Sequence, residues 1–449
     1  MKSLVTVALL TGTAHAGGMV LPVHGVRGIE RAGAIVAGAD DAGALFDNPA
    51  GLAHLTGGSA MLVDAAFVAQ SVDYARIDSG GNQLGAIDNS YPGITVPTIA
   101  IAAPINDKLV LAGGVTAPYA GIQRYAPDGA ARYTSASLAE SLFVTLAVGA
   151  AYAITPHLRV GVTVQDQISK LDSRVSLSGC PGQTVCAPED PEFDADTRIT
   201  QTDLWSPSAS AGVQWDPIPE VTLGLVGQLG AKVDGTGKLQ TRLPSSSFFD
   251  GATVRGDSVS LAMTLPPSIR TGIEVRPTDQ LRIEAALDVE FWGAHKDIAI
   301  TPHGVVIDNQ AGVGMYTIAP TVIPRNYKTS YAPSLGLEYH FANPFGAGAW
   351  QVGAGYAYET AAAPAAYVST LTVDAAKHIV GLGGSFDLGT WQIGAAIGFV
   401  KLKNVDVSLD DAKVMQLSPI RDQPAAVPVN AGAYQSHYLL AGMRFARTF

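Results

Sequence analysis

Residues 281–291 read Leu-Arg-Ile-Glu-Ala-Ala-Leu-Asp-Val-Glu-Phe, and every odd position carries an apolar side chain. The even positions include Arg282, Glu284, Asp288 and Glu290. A period of two without a slip predicts a strand with one apolar and one polar face. Strands of soluble proteins usually have about five or six residues, whereas a tilted membrane-spanning strand needs about ten. The stretch therefore predicts a strand that crosses a membrane.

The same alternation recurs at 158–167, 269–276 and 391–399. Along the chain it predicts fourteen strands, at 59–77, 97–105, 108–116, 136–153, 157–171, 200–216, 220–233, 257–277, 279–300, 327–342, 348–360, 374–388, 390–404 and 433–449. The connections alternate between short turns and long loops, which is typical of outer-membrane barrels. Because an unpaired strand edge is costly in hydrocarbon, we expect the sheet to close. The predicted fold is an all-β, 14-stranded antiparallel transmembrane β-barrel.

The composition restricts the possible partners and chemistry. The chain has 449 residues, with 28 Lys+Arg against 39 Asp+Glu and a net charge of −11, which disfavours nucleic acid as a partner. Two cysteines are too few for a cysteine zinc site, and the nine histidines show no metal-ligand spacing. No Gly-x-Ser-x-Gly, His-Glu-x-x-His or Walker motif is found. We therefore expect no cofactor, no metal and no enzymatic activity.

The first residues have the three parts of a secretory signal. A positive Lys2 is followed by the apolar stretch 4–10, and Ala14-His15-Ala16 fits the cleavage rule, so residues 1–16 are predicted to be a signal peptide. An exported, charge-poor chain without a spanning helix is either a secreted β-protein or a bacterial outer-membrane barrel, and the long strands favour the barrel. The terminal Phe449 resembles the C-terminal signal of such barrels. We expect a monomer, delivered by the barrel-assembly machinery and surrounded by outer-membrane lipid and lipopolysaccharide.

Residues 17–58 precede the predicted barrel, which spans 59–449. The segment is rich in glycine and alanine and contains Asp40, Asp41 and Asp47. A plug folded into the lumen would have this composition, and its charges could pair with inward arginines at 159, 270, 276 and 282. A periplasmic linker is the alternative interpretation.

Cys180 and Cys186 lie in the long loop 172–199. In an exported chain this spacing favours a disulfide that holds an extracellular loop. A redox-active pair is the weaker alternative, since the spacing is not Cys-x-x-Cys.

Several stretches of the sequence resemble a known family. Residues 27–33 (RGIERAG) and 39–52 (ADDAGALFDNPAGL) look like the N-terminal hatch of the FadL/TodX transporters of long-chain fatty acids and hydrocarbons, with Asn48-Pro49-Ala50 as the hatch motif. The resemblance continues at 265–274, at 326–328 with 336–339, and around His378. It implies a fourteen-stranded barrel, a plug at the N-terminus, and passive uptake of hydrophobic molecules.

The resemblance also implies roles for particular residues. Phe46, Asn48, Pro49 and Ala50 are expected to contact the ligand or form the hatch. In this family the solute leaves sideways through a gap made by a kink in the third strand, and Gly113-Gly114 suit such a kink, although paired glycines could also relieve crowding near the plug.

A fatty-acid carboxylate would need a cationic partner, for which the sequence offers Arg159, Arg270, Arg282 and Lys328. Each could equally belong to a charge network of the lumen. The apolar stretch 243–249 is a candidate for an outer acceptor groove, with ordinary loop packing as the alternative.

Two other functions stay open at this point. A general or structural porin needs no plug, so the glycine-rich N-terminal segment argues against it. A barrel enzyme such as a lipase needs a Ser-His pair at the outer rim, and Ser436-His437 gives no convincing set.

Overall fold

The computed structural model describes residues 25–139, 141–182, 185–312, 314–343, 346–419 and 427–449. The predicted signal peptide 1–16 lies outside these residues. The strands are β1 (Ala60–Arg76), β2 (Ile87–Asp88), β3 (Ile94–Pro104), β4 (Leu109–Ala120), β5 (Leu142–Thr155), β6 (Leu158–Ser178), β7 (Asp194–Asp203), β8 (Pro207–Ile218), β9 (Val221–Gln228), β10 (Lys232–Arg242), β11 (Thr253–Arg255), β12 (Ser258–Thr264), β13 (Ser268–Thr278), β14 (Leu281–Glu290), β15 (Asp297–His303), β16 (Val306–Gln310), β17 (Gly314–Thr317), β18 (Thr321–Pro324), β19 (Ser330–Ala342), β20 (Ala349–Glu359), β21 (Lys377–Asp387), β22 (Trp391–Leu402), β23 (Val405–Val407) and β24 (Gly432–Thr448).

The helices are short. They are α1 (Gly25–Glu30), α2 (Ala44–Asp47) and the 3₁₀-helical segments Pro49–Gly57, Pro191–Phe193, Ser247–Phe249, Trp292–Ala294 and Ala365–Tyr367. Among the described residues, no helix has the length and apolar character that crossing a membrane requires.

Fourteen strands of the described part of the chain form a closed antiparallel barrel. In order around the wall they are β1, β3, β4, β5, β6, β8, β9, β13, β14, β19, β20, β21, β22 and β24. The ring closes where β24 pairs with β1, from Ala60↔Thr448 to Arg76↔Gly432. The predicted fold class and strand number are therefore confirmed.

Four of the predicted strands are wrong because each is interrupted and forms two separate strands in the structure. The wall above the membrane continues as a smaller sheet in which β6, β7, β10, β12, β15 and β18 pair in that order. The predicted strand 257–277 is interrupted at Leu265-Pro266-Pro267, because proline lacks the N–H that the ladder needs. The predicted strand 279–300 is interrupted by the 3₁₀ turn Trp292–Ala294, and 200–216 and 220–233 break at residues 204–206 and 229–231.

The two faces of each strand meet different surroundings. On β6 the outward Val162 and Val164 are 56% and 63% exposed, whereas the inward Thr163 and Gln165 are buried. Exposed aromatic side chains cluster near both ends of the wall, with Tyr152, Trp215 and Trp350 on the side of the short turns and Trp205, Phe291 and Tyr331 on the side of the long loops. Aromatic girdles of this kind mark the two interfaces of an outer-membrane barrel.

The depth of the apolar band can be tested on β6. We expect Val162→Arg to lower the free energy of unfolding by about 2–4 kcal/mol, because it places a charge near the bilayer midplane. The matched change Ile168→Arg, on the same face near the outer interface, should cost about 0–1 kcal/mol. Urea unfolding in lipid vesicles measures both. Equal costs would show that the apolar face does not contact lipid.

Candidate functional site

Residues 25–58 fold inside the barrel. The 3₁₀ segment Pro49–Gly57 contacts β3, β4, β5, β6 and β8, whereas α1 contacts the adjoining arc of the wall formed by β20, β21, β22, β24, β1 and β3. We call residues 25–58 the N-terminal segment. Its glycines and alanines let the backbone approach the wall closely, so the segment spans the lumen from one side to the other.

The carboxylate of Glu284, on β14, binds the backbone of the N-terminal segment. It accepts hydrogen bonds from the backbone N–H groups of Val36 at 2.7 Å, Ala37 at 2.7 Å and Gly38 at 2.9 Å. The guanidinium of Arg31 lies 2.9 Å from the same carboxylate, and both side chains are fully buried. A buried carboxylate is stable only with such a set of donors. Glu284 thereby fixes the middle of the segment to the wall.

A network of ion pairs surrounds this anchor. Arg27 lies 2.6 Å from Asp40 and 2.7 Å from Glu338, and Arg282 lies 2.8 Å from Asp40 and 3.0 Å from Glu274. Burial by itself would raise the pKa of Asp40, but the guanidinium groups of Arg27 and Arg282 hold that pKa well below its ordinary value. The predicted pairing of segment acids with an inward arginine is thus present at Arg282.

Asn48-Pro49-Ala50 sits in a notch formed by two glycines. Gly161 on β6 and Gly212 on the neighbouring strand β8 are directly opposite each other in the ladder. A Cβ atom on Gly212 would lie 2.1 Å from the side-chain oxygen of Asn48, and one on Gly161 would lie 2.2 Å from the carbonyl carbon of Pro49. These two positions therefore accept no side chain while the tripeptide occupies the notch.

The Asn48 side chain joins two parts of the segment to the wall. Its amide donates to the carbonyl of Val36 at 2.8 Å and to that of Val213 on β8 at 3.3 Å. Its oxygen accepts from the N–H of Ala50 at 3.2 Å and so caps the following 3₁₀ segment. Asn48 is fully buried, which makes each of these bonds costly to lose.

The wall ladder is interrupted beside the segment. β3 and β4 pair from Pro104↔Val110 to Thr98↔Thr116 and no further, although Ile94–Pro97 still pair with β1. On its other side β4 shifts register against β5 between Thr116 and Tyr119, around Pro118. A β-bulge of this kind bends the strand. The neighbouring strands β3 and β4 therefore separate at this point.

The interruption does not lie at Gly113-Gly114, where it was predicted. Gly113 and Gly114 pair regularly with Ile101 and Ala100 of β3 and with Val148 and Ala147 of β5. A Cβ atom on Gly114 would lie 3.0 Å from the side chain of Leu45. The predicted kink position is therefore wrong. Gly114 makes room for the N-terminal segment, which was the alternative interpretation, and Pro118 lies where the ladder breaks.

Two adjoining cavities lie between the N-terminal segment and the wall. One of ≈ 100 Å³ is bordered by Asp47, Glu359 and Ile379, and one of ≈ 70 Å³ is bordered by Phe46, Pro118 and Tyr119 at the interruption of β4. Both share Arg270, Asp288 and Glu290. We call the pair the lumen chamber.

The lumen chamber is polar on the side of the N-terminal segment. Arg270 donates to the carbonyl of Phe46 at 2.9 Å, and burial raises the pKa of Asp47 to about 7. Near neutral pH the Asp47 carboxyl is therefore protonated in part of the molecules, and it can then donate a hydrogen bond as well as accept one.

Above the chamber the inward faces of the wall become apolar. Buried aliphatic side chains point inward from the outer strands, namely Leu171, Ile199, Val233, Leu239, Val259, Leu261, Met263, Ile298 and Ile300. Residues 361–363 and 368–370, from the loop between β20 and β21, are buried against them. The lumen therefore has an apolar outer half and a charged inner half.

The long loops form a further apolar surface outside the barrel. A cavity of ≈ 30 Å³ is lined almost wholly by apolar groups, including Leu243, Pro244, Phe249 and Ile318. The Cys180–Cys186 disulfide is formed and packs in one buried cluster with Phe193 and Phe249. The disulfide thus supports one side of this outer groove, which contains part of the predicted stretch 243–249.

The comparisons with known proteins agree with the fourteen-stranded barrel. The model of the outer membrane protein transport protein family (OMPP1/FadL/TodX) matches residues 7–449. The chain belongs to this family. Its members are outer-membrane transport proteins, so this protein is an outer-membrane transport protein and not an enzyme.

Solved structures of the family have the same fold. A Pseudomonas aeruginosa FadL homologue is 17% identical with a TM-score of 0.78, covering 96% of this chain and 100% of that one. The Pseudomonas putida toluene transporter TodX is 14% identical with a TM-score of 0.65, covering 96% and 99%. The Ralstonia pickettii toluene transporter TbuX is 15% identical with a TM-score of 0.61, covering 94% and 100%. No curated protein sequence matches the chain.

The four predicted carboxylate partners have different surroundings in this family member. Arg270 borders the lumen chamber. Arg282 is held by Asp40 and Glu274, and Arg159 lies 2.8 Å from Asp216 near a short turn. The Lys328 side chain is exposed. Of these four, only Arg270 is placed to meet a solute in the chamber.

Sequence reasoning missed Lys377. Its ammonium group is buried, 2.8 Å from Glu359, which borders the chamber. The alternation along β21 could have revealed its inward position. Lys377 lies on the same face of the strand as the buried Ile379, whereas Val380 and Leu382, on the other face, are 45% and 54% exposed to lipid. Among the described residues, no cluster of three His, Cys, Asp or Glu side chains could hold a metal ion.

The glycine notch predicts a matched pair of substitutions. Gly212→Ala should displace Asn48 and loosen the N-terminal segment, because the added carbon would overlap the amide oxygen. Gly227→Ala is the control: it lies on the adjacent strand β9 and nothing lies within 4 Å of its added carbon. We expect a higher ion conductance in planar bilayers for Gly212→Ala alone, with normal barrel assembly in both. Equal conductances would contradict the notch.

Proposed function

We propose that this barrel is a passive route by which hydrophobic molecules, long-chain fatty acids or hydrocarbons, cross the outer membrane. The observation that supports it best is that the N-terminal segment obstructs the axis of the lumen while the ladder of β3 and β4 ends beside the chamber. A solute that reaches the chamber has its route into the membrane through the side wall, not along the axis.

The route begins outside the cell. An apolar molecule gains free energy by leaving water for the outer groove around Leu243 and Phe249, and the apolar outer lumen continues the same environment inward. Rearrangement of the N-terminal segment, acting as a hatch, opens the chamber, and the solute leaves laterally past Pro118 and Tyr119. No energy source is needed, because the solute partitions down its own gradient.

The charged groups of the chamber bear on which solutes pass. Its lining contains Asp47, Asp288, Glu290 and Glu359 against the single guanidinium of Arg270 in the described residues that border it. A fatty-acid anion would meet Arg270 among several carboxylates, and like charges disfavour one another in a low-dielectric site. We therefore propose that uncharged solutes pass more readily than carboxylate anions.

The chain is also proposed to act as a monomer. Apart from the short interruption between β3 and β4, the closed ring leaves no strand edge in the described wall to pair with a second copy. We further propose that the barrel-assembly machinery inserts it through the C-terminal strand, whose last residue Phe449 is 64% exposed. Outer-membrane lipid and lipopolysaccharide are the proposed surroundings of its outer face.

Asn48→Ala tests the hatch. We expect uptake of toluene and oleate by cells that lack their own transporter to fall about tenfold, because the carbonyls of Val36 and Val213 lose their donor and the segment moves from its position. Heat-modifiable migration of the folded barrel should be unchanged. Asn106→Ala, in a short exposed turn, is the matched control. Unaltered uptake by Asn48→Ala would show that the N-terminal segment does not act as a hatch.

Conductance separates this function from that of a general porin. The plugged barrel should show a small conductance in a planar bilayer, because the N-terminal segment occupies the lumen. A large, steady, water-filled conductance of the unaltered protein would favour the porin and overturn the proposal.

Glu290→Gln tests the preference for uncharged solutes. The glutamine removes an ionisable carboxyl from the chamber but keeps an oxygen that can accept from the indole N–H of Trp292, now 2.6 Å from Glu290. We expect oleate uptake to rise several-fold relative to toluene uptake. Glu220→Gln, in an exposed turn, should leave the ratio unchanged. A fall in oleate uptake would show that the chamber does not discriminate by charge.

A further inference from the structure

The interruption of the wall between β3 and β4 has a defined end on each side. Its inner end is the last pair of the ladder, Thr98↔Thr116, whose hydroxyl oxygens lie 2.8 Å apart. Its outer end is a hydrogen bond of 2.8 Å from the backbone N–H of Ser90 to the carbonyl of Arg124. We call the space between these two ends the side opening.

The side chain of Asn89 holds the outer end together. Its amide donates to the carbonyl of Gln70 on β1 at 2.7 Å and to that of Ile122, in the loop after β4, at 2.8 Å. Its oxygen accepts from the backbone N–H of Arg124 at 2.9 Å and from that of Tyr91 at 3.1 Å. One side chain thus joins β1, the residues that lead into β3 and the loop that follows β4.

The two edges of the side opening are unsuited to a regular ladder. Pro92 and Pro97 lie along one edge and Pro118 lies along the other. Proline has no N–H to donate to a neighbouring strand. Strand β4 is also shifted in register against β5 beside Pro118. The separation of the edges at the outer end is therefore set by the bonds of Asn89 and not by strand pairing.

Asn89 lies at the level where the apolar outer face of the barrel ends. On β24, Leu439 is 57% exposed and directly opposite Ala69 of β1, whereas the next outward-facing residue is His437. The backbone N–H of Asn89 donates at 3.0 Å to the carbonyl of Val72, three residues beyond Ala69. The side opening therefore faces hydrocarbon along its length, and Asn89 closes it at the polar surface.

The side opening is long in the direction of the strands. Thr98, at its inner end, is opposite Asp64 of β1, and Val72, which accepts from Asn89, is eight residues further along the same strand. With about 3.3 Å per residue, the opening is roughly 25 Å long. Because its edges are joined at both ends, it can accommodate a long solute more easily than a wide one.

The edges between the two ends are apolar. Val96 on the β3 edge and Ala117 and Tyr119 on the β4 edge belong to one buried apolar cluster, against which Ile94 also packs. A slender apolar solute exchanges contacts with these side chains for contacts with lipid and breaks no hydrogen bond. A wide solute has to part the edges, which breaks the bonds of Asn89 and leaves partly buried backbone groups without partners.

We propose that Asn89 sets the upper limit on the width of the solutes that leave through the side opening. The limit rests on the lateral route of the proposed function. Molecules as slender as one alkyl chain or one aromatic ring pass while Asn89 keeps its bonds, and rigid molecules of several fused rings do not. Asn89 is a positioning residue, since it acts by holding the two edges and not by binding the solute.

Asn89→Ala tests the limit with two measurements on the full chain. Hydrogen exchange in lipid vesicles reports on the bonds themselves, and the backbone N–H groups of Tyr91 and Arg124 should exchange about tenfold faster because both lose their acceptor. Uptake by cells compares toluene with pyrene, a rigid molecule of several fused rings. Pyrene uptake should rise several-fold relative to toluene uptake.

Two further variants make the result specific. Asn106→Ala removes an asparagine whose oxygen likewise accepts from two backbone N–H groups, in a short turn at the other end of the barrel, and should change neither measurement. Asn89→Asp keeps the accepting oxygen but loses the amide that donates to Gln70 and Ile122. It should raise the ratio of pyrene to toluene uptake even if Asn89→Ala does not assemble.

The outcomes separate this inference from the proposed transport function. If an assembled Asn89 variant still takes up toluene and the ratio of pyrene to toluene uptake is unchanged, Asn89 does not limit the solute. If the Arg124 N–H of Asn89→Ala exchanges as slowly as in the unaltered chain, Asn89 does not hold the outer end. If the unaltered chain takes up no toluene, the transport proposal fails and the width limit fails with it.

Discussion

Hydrocarbon offers no hydrogen bond to the edge of a strand, and this constraint determines the architecture. A sheet in the bilayer must close, and here it does so through the seventeen-residue ladder between β1 and β24. Closure with fourteen strands encloses a lumen too wide for wall side chains alone to fill, since barrels of eight strands are already just filled. The protein therefore needs a second structure inside the first, and residues 25–58 provide it.

Filling a lumen with a separate segment creates an electrostatic problem that the ion network solves. The segment has few large apolar side chains, so its hold on the wall depends on charged groups such as Glu284 and Arg31, both fully buried. Desolvation of such groups is expensive, and loss of one partner from a buried pair costs roughly 3–5 kcal/mol. A network of this kind gives one defined position rather than great stability. That property suits the hatch role that we propose for the segment.

The ladder between β3 and β4 ends at Thr116, so the requirement that every strand edge in the bilayer be paired is not met at this point. Pro118 has no N–H to leave unsatisfied, and Tyr119 turns a buried ring against Phe143, with ring centres 5.8 Å apart. The cost of separating β3 from β4 is thereby reduced at the place where the lumen chamber meets the wall. On the outer side of the chamber lie the disulfide, the outer groove and the apolar outer lumen. On its inner side lies the charged network.

The alternation seen at 281–291 and repeated along the chain was enough to predict the membrane strands, their number and the inward face of Arg282 and Glu284, because lipid and lumen impose opposite chemistry at every second residue. It could not predict the breaks at residues 204–206, 229–231, 265–267 and 291–296, where the chain passes between the barrel wall and the outer sheet. Nor could it place the strand kink, since Gly113 and Gly114 suit a kink and a close contact with Leu45 equally well.

The partners of each charge were likewise decided by the tertiary structure alone. Arg159, Arg270 and Arg282 all lie on the polar face of their predicted strands, yet one pairs near a turn, one borders the chamber and one holds the N-terminal segment. The physical reason is that periodicity records only which side of the wall a residue faces. The partner of an inward side chain depends on how residues 25–58 fold inside the lumen. The sequence of those residues has no periodic pattern from which that fold could be predicted.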